Sequence, residues 1–158
     1  MKKRIITVII GATLLFTGCN STAATPIKTN VANPFITCEN IDEGIEKSGI
    51  PIDVPESLGD FVLDSVTIKE NELLQIYYKA GEYNLFLRKG YFDIENSGDY
   101  TKYDTEQTLV INGMDVRLGI NNDYIYNATW MDNGYSYLLL SSAGLTEDSF
   151  ARLIMQID

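Results

Sequence analysis

Residues 108–141 read TLVINGMDVRLGINNDYIYNATWMDNGYSYLLLS, and this stretch decides the fold. It holds four runs of β-branched, aromatic and leucine residues, separated by short clusters of Asn, Asp and Gly. Such clusters form tight turns between strands, and Asn112-Gly113 is the strongest hairpin signal among them. The stretch therefore predicts four antiparallel strands: Thr108–Ile111, Asp115–Ile120, Tyr124–Met131 and Tyr135–Ser141.

Three runs of the same character precede this stretch. In Tyr83–Lys89 the residues alternate so that one face of the strand is apolar, which is typical of a half-buried strand. The segment from Gly90 to about Glu106 is acidic and rich in tyrosine, and it predicts a long loop. With Phe61–Lys69 and Leu73–Lys79 added, the sequence predicts a sheet of about six to seven strands.

A helix is predicted on each side of these strands. Asn40 can cap the first helix, and Gly49 can end it in the left-handed conformation. Thr146 can cap the second helix, whose apolar stripe follows the i, i+3, i+4, i+7 spacing: Phe150, Leu153, Ile154 and Ile157. Because such a stripe must be buried against another element, the expected fold class is α+β. We expect a curved antiparallel sheet with an N-terminal and a C-terminal helix packed on one face.

The N-terminus has the form of an export signal. A basic start, Met1–Arg4, precedes the apolar run Ile5–Phe16. As a helix this run is about 18 Å long at about 1.5 Å per residue, too short for the roughly 30 Å hydrocarbon core of a bilayer. Leu15–Cys19 resembles the lipobox of bacterial lipoproteins. The resemblance implies that the thiol of Cys19 receives a diacylglycerol, with acyl chains such as palmitate, and that cleavage makes Cys19 the first residue of the mature protein.

These features predict three parts of the chain. Residues 1–18 are a lipoprotein signal peptide, residues 19–32 are a flexible tether rich in Ser, Thr, Ala and Asn, and residues 33–158 are a single α+β domain. The predicted location is the outer, extracytoplasmic face of the cell membrane. Two acyl chains give stable anchoring, so we expect a tethered protein and not an embedded one.

Charge and residue content restrict the chemistry. The formal charge is −10, and it becomes −13 without the three cations of the signal peptide. An acidic surface argues against nucleic acid as a partner. The chain has no histidine, which excludes histidine-dependent catalytic triads and disfavours zinc or copper sites. Cys38 is then the one cysteine left in the mature chain, and it is either a buried small hydrophobe or a free thiol.

Several short stretches resemble a family of domains of unknown function that occurs in lipoproteins of Gram-positive anaerobes and in the extracytoplasmic part of anti-sigma factors. They span roughly residues 33–157: Asn33–Cys38, Asp42-Glu43, Val54–Glu56, Leu74–Tyr78, Leu87–Gly90, Ser97–Tyr100, Ala128–Trp130 and Tyr135–Tyr137. The resemblance implies an α+β fold and a location in the bacterial envelope. It implies no activity and no catalytic residues.

One acidic stretch has the spacing of a calcium-binding loop. Oxygen-bearing side chains occur at positions 1, 3, 5, 7, 9 and 12, and glycine occurs at position 6. The predicted ligands are Asp93, Glu95, Ser97, Asp99, Thr101 and Asp104. The alternative is a solvated acidic loop in which Gly98 serves a turn. No other cofactor is predicted.

The preferred function is a non-enzymatic binding or interaction module anchored in the envelope. The predicted partners are the membrane, through the lipid on Cys19, and an envelope protein or small ligand. The alternatives are a sensory or regulatory ectodomain acting through a membrane partner, and a carrier of an apolar ligand. The ten tyrosines could form a binding platform for sugars or peptides, although cross-strand packing in the sheet is the favoured explanation. A hydrolase is disfavoured because no catalytic motif is present.

Overall fold

The computed structural model describes residues 33–94 and 97–158. In this part of the chain, nine strands form one antiparallel sheet, and two helices complete an α+β fold. The elements in chain order are β1 (Ile36–Cys38), α1 (Ile41–Ser48), β2 (Ser57–Leu58), β3 (Phe61–Lys69), β4 (Leu73–Ala80), β5 (Tyr83–Gly90), β6 (Thr105–Ile111), β7 (Met114–Asn121), β8 (Tyr124–Asp132), β9 (Tyr135–Leu145) and α2 (Glu147–Ile154).

The sheet joins two meanders through its last strand. The order across the sheet is β1-β3-β4-β5-β9-β8-β7-β6, and β2 adds a short pairing to β3. Strand β9 therefore lies between β8, its neighbour in sequence, and β5 of the first meander, with Leu87 opposite Leu139. Since β6 is the far edge, the chain must travel from the middle of the sheet to that edge between β5 and β6.

The predicted turns and caps are confirmed. Asn112 and Gly113 have φ values of 50° and 81°, as the left-handed pair of a tight hairpin turn requires. The side chain of Asn40 accepts a hydrogen bond of 2.9 Å from the amide of Glu43, and Gly49 ends α1 at φ 68°. Thr146 caps α2 through the amide of Ser149 at 3.3 Å.

One face of the sheet, here called the core face, carries the hydrophobic core. Alternate residues of the central strands point to it, and Leu87 and Leu139 are fully buried. Helix α1 packs on β1, β3 and β4, and Gly44 permits close approach because an added Cβ would lie 2.8 Å from Val66 and Leu74 side-chain atoms. Helix α2 contacts β8 and contributes Phe150 to the same buried cluster.

The other face, here called the polar face, carries the intervening residues. On β5, β9, β8 and β7 these include the residues Phe86, Arg88, Leu138, Leu140, Asn127, Thr129, Arg117 and Gly119, which lie opposite one another in the registers of these strands. The sheet is therefore two-sided: apolar side chains meet the helices, and a mixture of polar and aromatic side chains lies on the reverse.

The structure corrects the predicted element count and placement. The described part of the chain has nine strands instead of six to seven, because β1 and β2 contain only three and two residues and show no readable alternation. A helix is not the first element, since β1 precedes α1. The predicted loop ends earlier, because β6 begins at Thr105. Helix α2 ends at Ile154, so the buried Ile157 reaches the core from beyond the helix.

Predictions for residues 1–32 lie outside the described residues, including the signal peptide, the tether and lipidation at Cys19. Within residues 33–94 and 97–158, neither helix is long and apolar enough to span a bilayer. Cys38 is buried and forms no disulfide.

Candidate functional site

A segment of chain crosses the polar face, and we call residues 97–104 the crossing segment. Just before it, the hydroxyl of Ser136 on β9 donates to the carbonyl of Phe92 at 2.6 Å. Arg88 on β5 donates to the carbonyl of Ser97. At the far end, the amide of Asp104 donates to the side-chain oxygen of Asn121 at the β7–β8 turn, at 2.8 Å. The segment is thus tied successively to strands from the centre of the sheet towards its edge.

The carboxylate of Asp99 holds the middle of the crossing segment on the sheet. One oxygen accepts from the hydroxyl of Tyr103 at 2.6 Å and from the side-chain amide of Asn127 on β8. The other accepts from the backbone amide of Thr101 at 3.0 Å. Burial raises the pKa of Asp99, but these hydrogen bonds outweigh it and leave the pKa below its usual value of 3.8. The carboxylate is therefore an anionic structural clamp at neutral pH.

Tyr103 belongs to the same network. Burial, together with the hydrogen bond to anionic Asp99, raises the pKa of Tyr103 to about 12. Its hydroxyl consequently keeps its proton at neutral pH. Tyr103 is always the donor of this hydrogen bond and Asp99 the acceptor. The pair is therefore suited to holding a loop and not to transferring a proton near neutral pH.

Arg88 supports the crossing segment from below. Its Nε and one of its terminal nitrogens donate to the side-chain oxygen of Gln75 on β4, at 3.0 and 2.6 Å. The guanidinium carbon lies 5.2 Å from the centroid of the Phe86 ring and 5.9 Å from that of Phe92. Burial lowers the pKa of Arg88 below its ordinary value. The side chain of Arg88 on β5 therefore links β4 to the crossing segment.

Three hollows lie on the polar face, two along the crossing segment and one beside Asp93 and Ile94, which precede it. The smallest, of about 150 Å³, lies between the segment and the sheet beside Arg117 and Asn127. The largest, of about 720 Å³, is open, and its wall carries three carboxylates, Asp93, Asp115 and Asp132, and one cation, Arg117. The third, of about 340 Å³, lies on the other side of the segment, and we call it the aromatic pocket because Phe86, Tyr103 and Tyr126 line it.

Tyr126 reaches the aromatic pocket through an irregularity in two strand pairings. Between β8 and β9, Ile125 is opposite Leu145 and Asn127 is opposite Leu140, so a single residue of β8 faces four of β9. Between β7 and β8, the register also shifts at this residue. Such bulges redirect a side chain and often occur beside binding sites.

Two glycines make room for the two tyrosine rings. A Cβ added to Gly119 would lie 2.5 Å from the ring of Tyr103. A Cβ added to Gly144 would lie 2.7 Å from the hydroxyl oxygen of Tyr126. Both distances are shorter than the van der Waals contact of a carbon atom with a ring atom. Each ring therefore occupies space that would be filled by the Cβ of any residue other than glycine.

On the core face, Lys89 is buried among aromatic rings. It is 5% exposed, and its ammonium lies 4.8 Å from the centroid of Tyr137 and 5.1 Å from that of Tyr135. The ring of Trp130 stacks on Tyr137 at 4.8 Å. Burial lowers the pKa of Lys89, partly opposed by Asp158 and Asp132. The rings replace part of the lost hydration, which makes this cluster a packing device at the end of β5.

The predicted calcium ligands are only partly brought together. Ser97, Asp99 and Thr101 lie close, since the amide of Asp99 reaches the hydroxyl of Ser97 at 3.5 Å and that of Thr101 reaches Asp99. Asp104 turns away and accepts from the amide of Asn122 at 3.4 Å. Glu95 lies outside the described residues.

The described residues contain no group of three or more carboxylate or cysteine side chains positioned to hold a metal ion. The oxygens of Asp99 already accept protein hydrogen bonds. Calcium binding at residues 93–104 stays a prediction, which the geometry of the described ligands does not favour.

Apart from Asp99 and Thr101, which were predicted as calcium ligands, the sequence did not single out the residues of the aromatic pocket. Its tyrosines carried a general signal, since both cross-strand packing and a binding platform were open. The bulge at Tyr126 depends on two partner strands at once, and no local pattern encodes it. The triplet Ala143-Gly144-Leu145, just beyond the predicted strand Tyr135–Ser141, is a local hint of an irregular backbone.

Comparisons with curated proteins and with solved structures gave no significant match. A family model described as "Domain of unknown function (DUF4367)" matches residues 49–157. This confirms the prediction that the domain belongs to a family of unknown function, while the lipobox stays a prediction. Because the match covers more than half of the chain, the protein belongs to the DUF4367 family.

Proposed function

We propose that this protein is a lipid-anchored envelope protein whose domain is a non-enzymatic binding or interaction module. The observation that carries the proposal is the grooved polar face. One face of the sheet is used for the core. The other carries two large hollows, together called the groove: one of about 340 Å³ along the crossing segment, and one of about 720 Å³ beside Asp93 and Ile94. Ligand pockets have volumes of about 300–1,000 Å³, so both hollows are large enough for a ligand or for a partner's side chains.

The protonation states in the groove support binding over catalysis. A general acid or base works best with a pKa near the operating pH. Asp99 is held charged, and Tyr103 is held neutral with a pKa of about 12. Each already uses its hydrogen-bonding groups on the other. The groove therefore offers fixed contacts.

The open hollow favours a neutral or cationic partner. Asp93, Asp115 and Asp132 line it with one cation, Arg117, so its wall is acidic on balance, and Met131 beside them is 59% exposed. A chain of net charge −10 repels nucleic acid and anionic lipid surfaces. The groove therefore supports a partner in the envelope that carries an apolar contact and basic groups.

The anchor is tested by labelling the full chain with radioactive palmitate in a bacterial host. We expect label in the protein and recovery in the membrane fraction. Cys19→Ala should remove both, whereas Cys38→Ala, the matched control, should keep both. Label retained by Cys19→Ala would contradict the proposal of anchoring.

The binding surface is tested with a photoreactive amino acid placed on intact cells. Met131 in the groove and Met155, which directly follows α2, are 59% and 58% exposed, which makes them matched positions. We expect saturable adducts at position 131 and none at 155. Equal adducts at both positions, or none at 131, would contradict a specific surface on the polar face. An adduct with one membrane protein would favour the sensory or regulatory alternative.

A further inference from the structure

The aromatic pocket differs from the other two hollows in the chemistry of its wall. The rings of Phe86, Tyr103 and Tyr126 line it together with Leu140. Polar side chains that carry no charge surround them: Asn84, Thr101, Asn121, Ser141 and Ser142. We infer that this pocket binds a neutral sugar ring. The inference rests on the proposed binding function and names its ligand class.

The combination of flat aromatic rings and polar edges in the pocket matches the two kinds of surface on a sugar. A pyranose has C–H faces and a rim of hydroxyl groups, so it needs flat apolar contacts and hydrogen-bonding groups at the edges. Aromatic rings supply flat contacts, and tyrosine adds a polar end. Amide and hydroxyl side chains can both donate and accept, which suits hydroxyl groups whose orientation varies.

The charges around the pocket disfavour charged small ligands. No lysine or arginine is among the described residues that line it, so an anion finds no counter-charge. Its one carboxylate, Asp99, is committed on both oxygens to Tyr103, Asn127 and Thr101. A cation therefore finds no free carboxylate there. A neutral polar ligand satisfies both conditions.

The pocket is built into the sheet. Tyr126 is aimed by the register shifts on both sides of β8, and its ring lies against Gly144. Tyr103 is fixed by Asp99 and lies against Gly119. Rings that are held before binding lose little conformational freedom on binding, which favours a weakly interacting ligand such as a sugar.

The size sets the extent of the ligand. At about 340 Å³ the aromatic pocket is near the lower end of the range for ligand sites, about 300–1,000 Å³. One ring, with part of a second, would fill it. The pocket is open to solvent beside the exposed Ser142, so a longer glycan can leave from this end.

Titration calorimetry and saturation-transfer NMR test the inference on the full chain in a detergent without a sugar headgroup. The probes are the β-1,4-linked trimer of N-acetylglucosamine and maltotriose, with glucuronate and glucosamine as charged comparisons. We expect saturable binding of at least one neutral probe and at least about tenfold weaker binding of both charged sugars.

Variants of one strand provide the matched controls. Tyr126→Ala should weaken binding of the neutral probe at least about tenfold, whereas Tyr126→Phe, which keeps the ring, should bind nearly as the parent. Tyr124→Ala, on the same strand but outside the pocket, should leave binding unchanged. Gly144→Ala, which displaces the ring of Tyr126, should weaken binding.

Three results would overturn the inference: no saturable binding of either neutral probe by the folded parent, equal binding of the charged sugars, or binding unchanged in Tyr126→Ala. Failure here is distinguishable from failure of the proposed function. Specific adducts at position 131 without sugar binding would keep the binding module and remove the sugar.

Discussion

The core face and the polar face of the same sheet are stabilised by different physics. On the core face, fully buried side chains such as Leu87 and Leu139 contribute through lost apolar surface and close packing. On the polar face, Asp99, Asn127 and Arg88 contribute through hydrogen bonds that fix one short segment of chain. The comparison teaches that the core face sets whether the chain folds, while the polar face sets the shape of the groove.

The largest expected effect is the loss of stability when a core-face side chain is truncated. Leu139→Ala should lower the free energy of unfolding by about 2–5 kcal/mol, since it removes apolar contacts and leaves a cavity. Val110→Ala on β6 is the matched control, because Val110 is 71% exposed, and it should change stability by less than about 0.5 kcal/mol. Urea denaturation measures both free energies of unfolding, and we expect the slope against urea concentration to stay unchanged. Equal effects of the two substitutions would contradict the assignment of the faces.

A smaller loss of stability is expected when a hydrogen-bond donor to the Asp99 carboxylate is removed on the polar face. Asn127→Ala leaves the carboxylate of Asp99 without one of its donors, and loss of such a partner costs about 1–3 kcal/mol. Gln107→Ala, at an exposed position of β6, should be close to neutral. Hydrogen exchange gives the sharper readout: amides of residues 97–104 should lose protection in Asn127→Ala while those of β4 keep theirs. Uniform loss of protection would argue against a local clamp.

The charge of Asp99 makes part of the stability dependent on pH. Its pKa is lower in the folded chain than its usual 3.8, so the carboxylate stabilises the fold fully above 3.8. That contribution is lost as pH falls through the lower, folded value. The stability difference between the parent and Asp99→Asn should therefore be constant above about pH 5 and shrink in more acidic solution. A difference that grows on acidification would reverse the assigned sign.

The smallest expected effect sharpens the comparison at the surface. Arg117 on β7 contacts Glu106 on β6 at 2.6 Å, and both side chains are about half exposed. Such pairs contribute roughly 0–1 kcal/mol and weaken with salt. Glu106→Gln should lower stability by less than about 1 kcal/mol, and the difference should shrink in 1 M salt. A larger loss that is insensitive to salt would show that this pair belongs with the polar clamp.

Local signals in the sequence predicted the local structure. Asn112-Gly113 predicted a hairpin, Asn40 and Gly49 predicted the bounds of α1, and Thr146 predicted the start of α2. Each of these depends on the backbone preferences of one or two residues, which are present in the sequence itself. The α+β class followed from them.

The arrangement of the sheet and its groove could not be read in the same way. The pairing of β5 with β9 joins residues far apart in sequence, so no window contains it. The route of residues 97–104 over the polar face follows from that pairing, as do the positions of Tyr103 and Tyr126. The spacing of the calcium-loop residues is visible in the sequence and stays a prediction, whereas the hydrogen bonds of the Asp99 carboxylate with Tyr103 and Asn127 depend on the fold.

The position of β9 has a consequence for the order of events during synthesis. The meander of β3, β4 and β5 emerges before β9, whether from the ribosome or during export, and the bonding edge of β5 stays unpaired until β9 arrives. Closing so long a loop is slow compared with hairpin formation, because its entropic cost comes before its contacts. A chain whose emergence stops before residue 135 therefore exposes the unpaired backbone edge of β5, which is prone to aggregation. A chaperone that binds extended segments would bind at this edge.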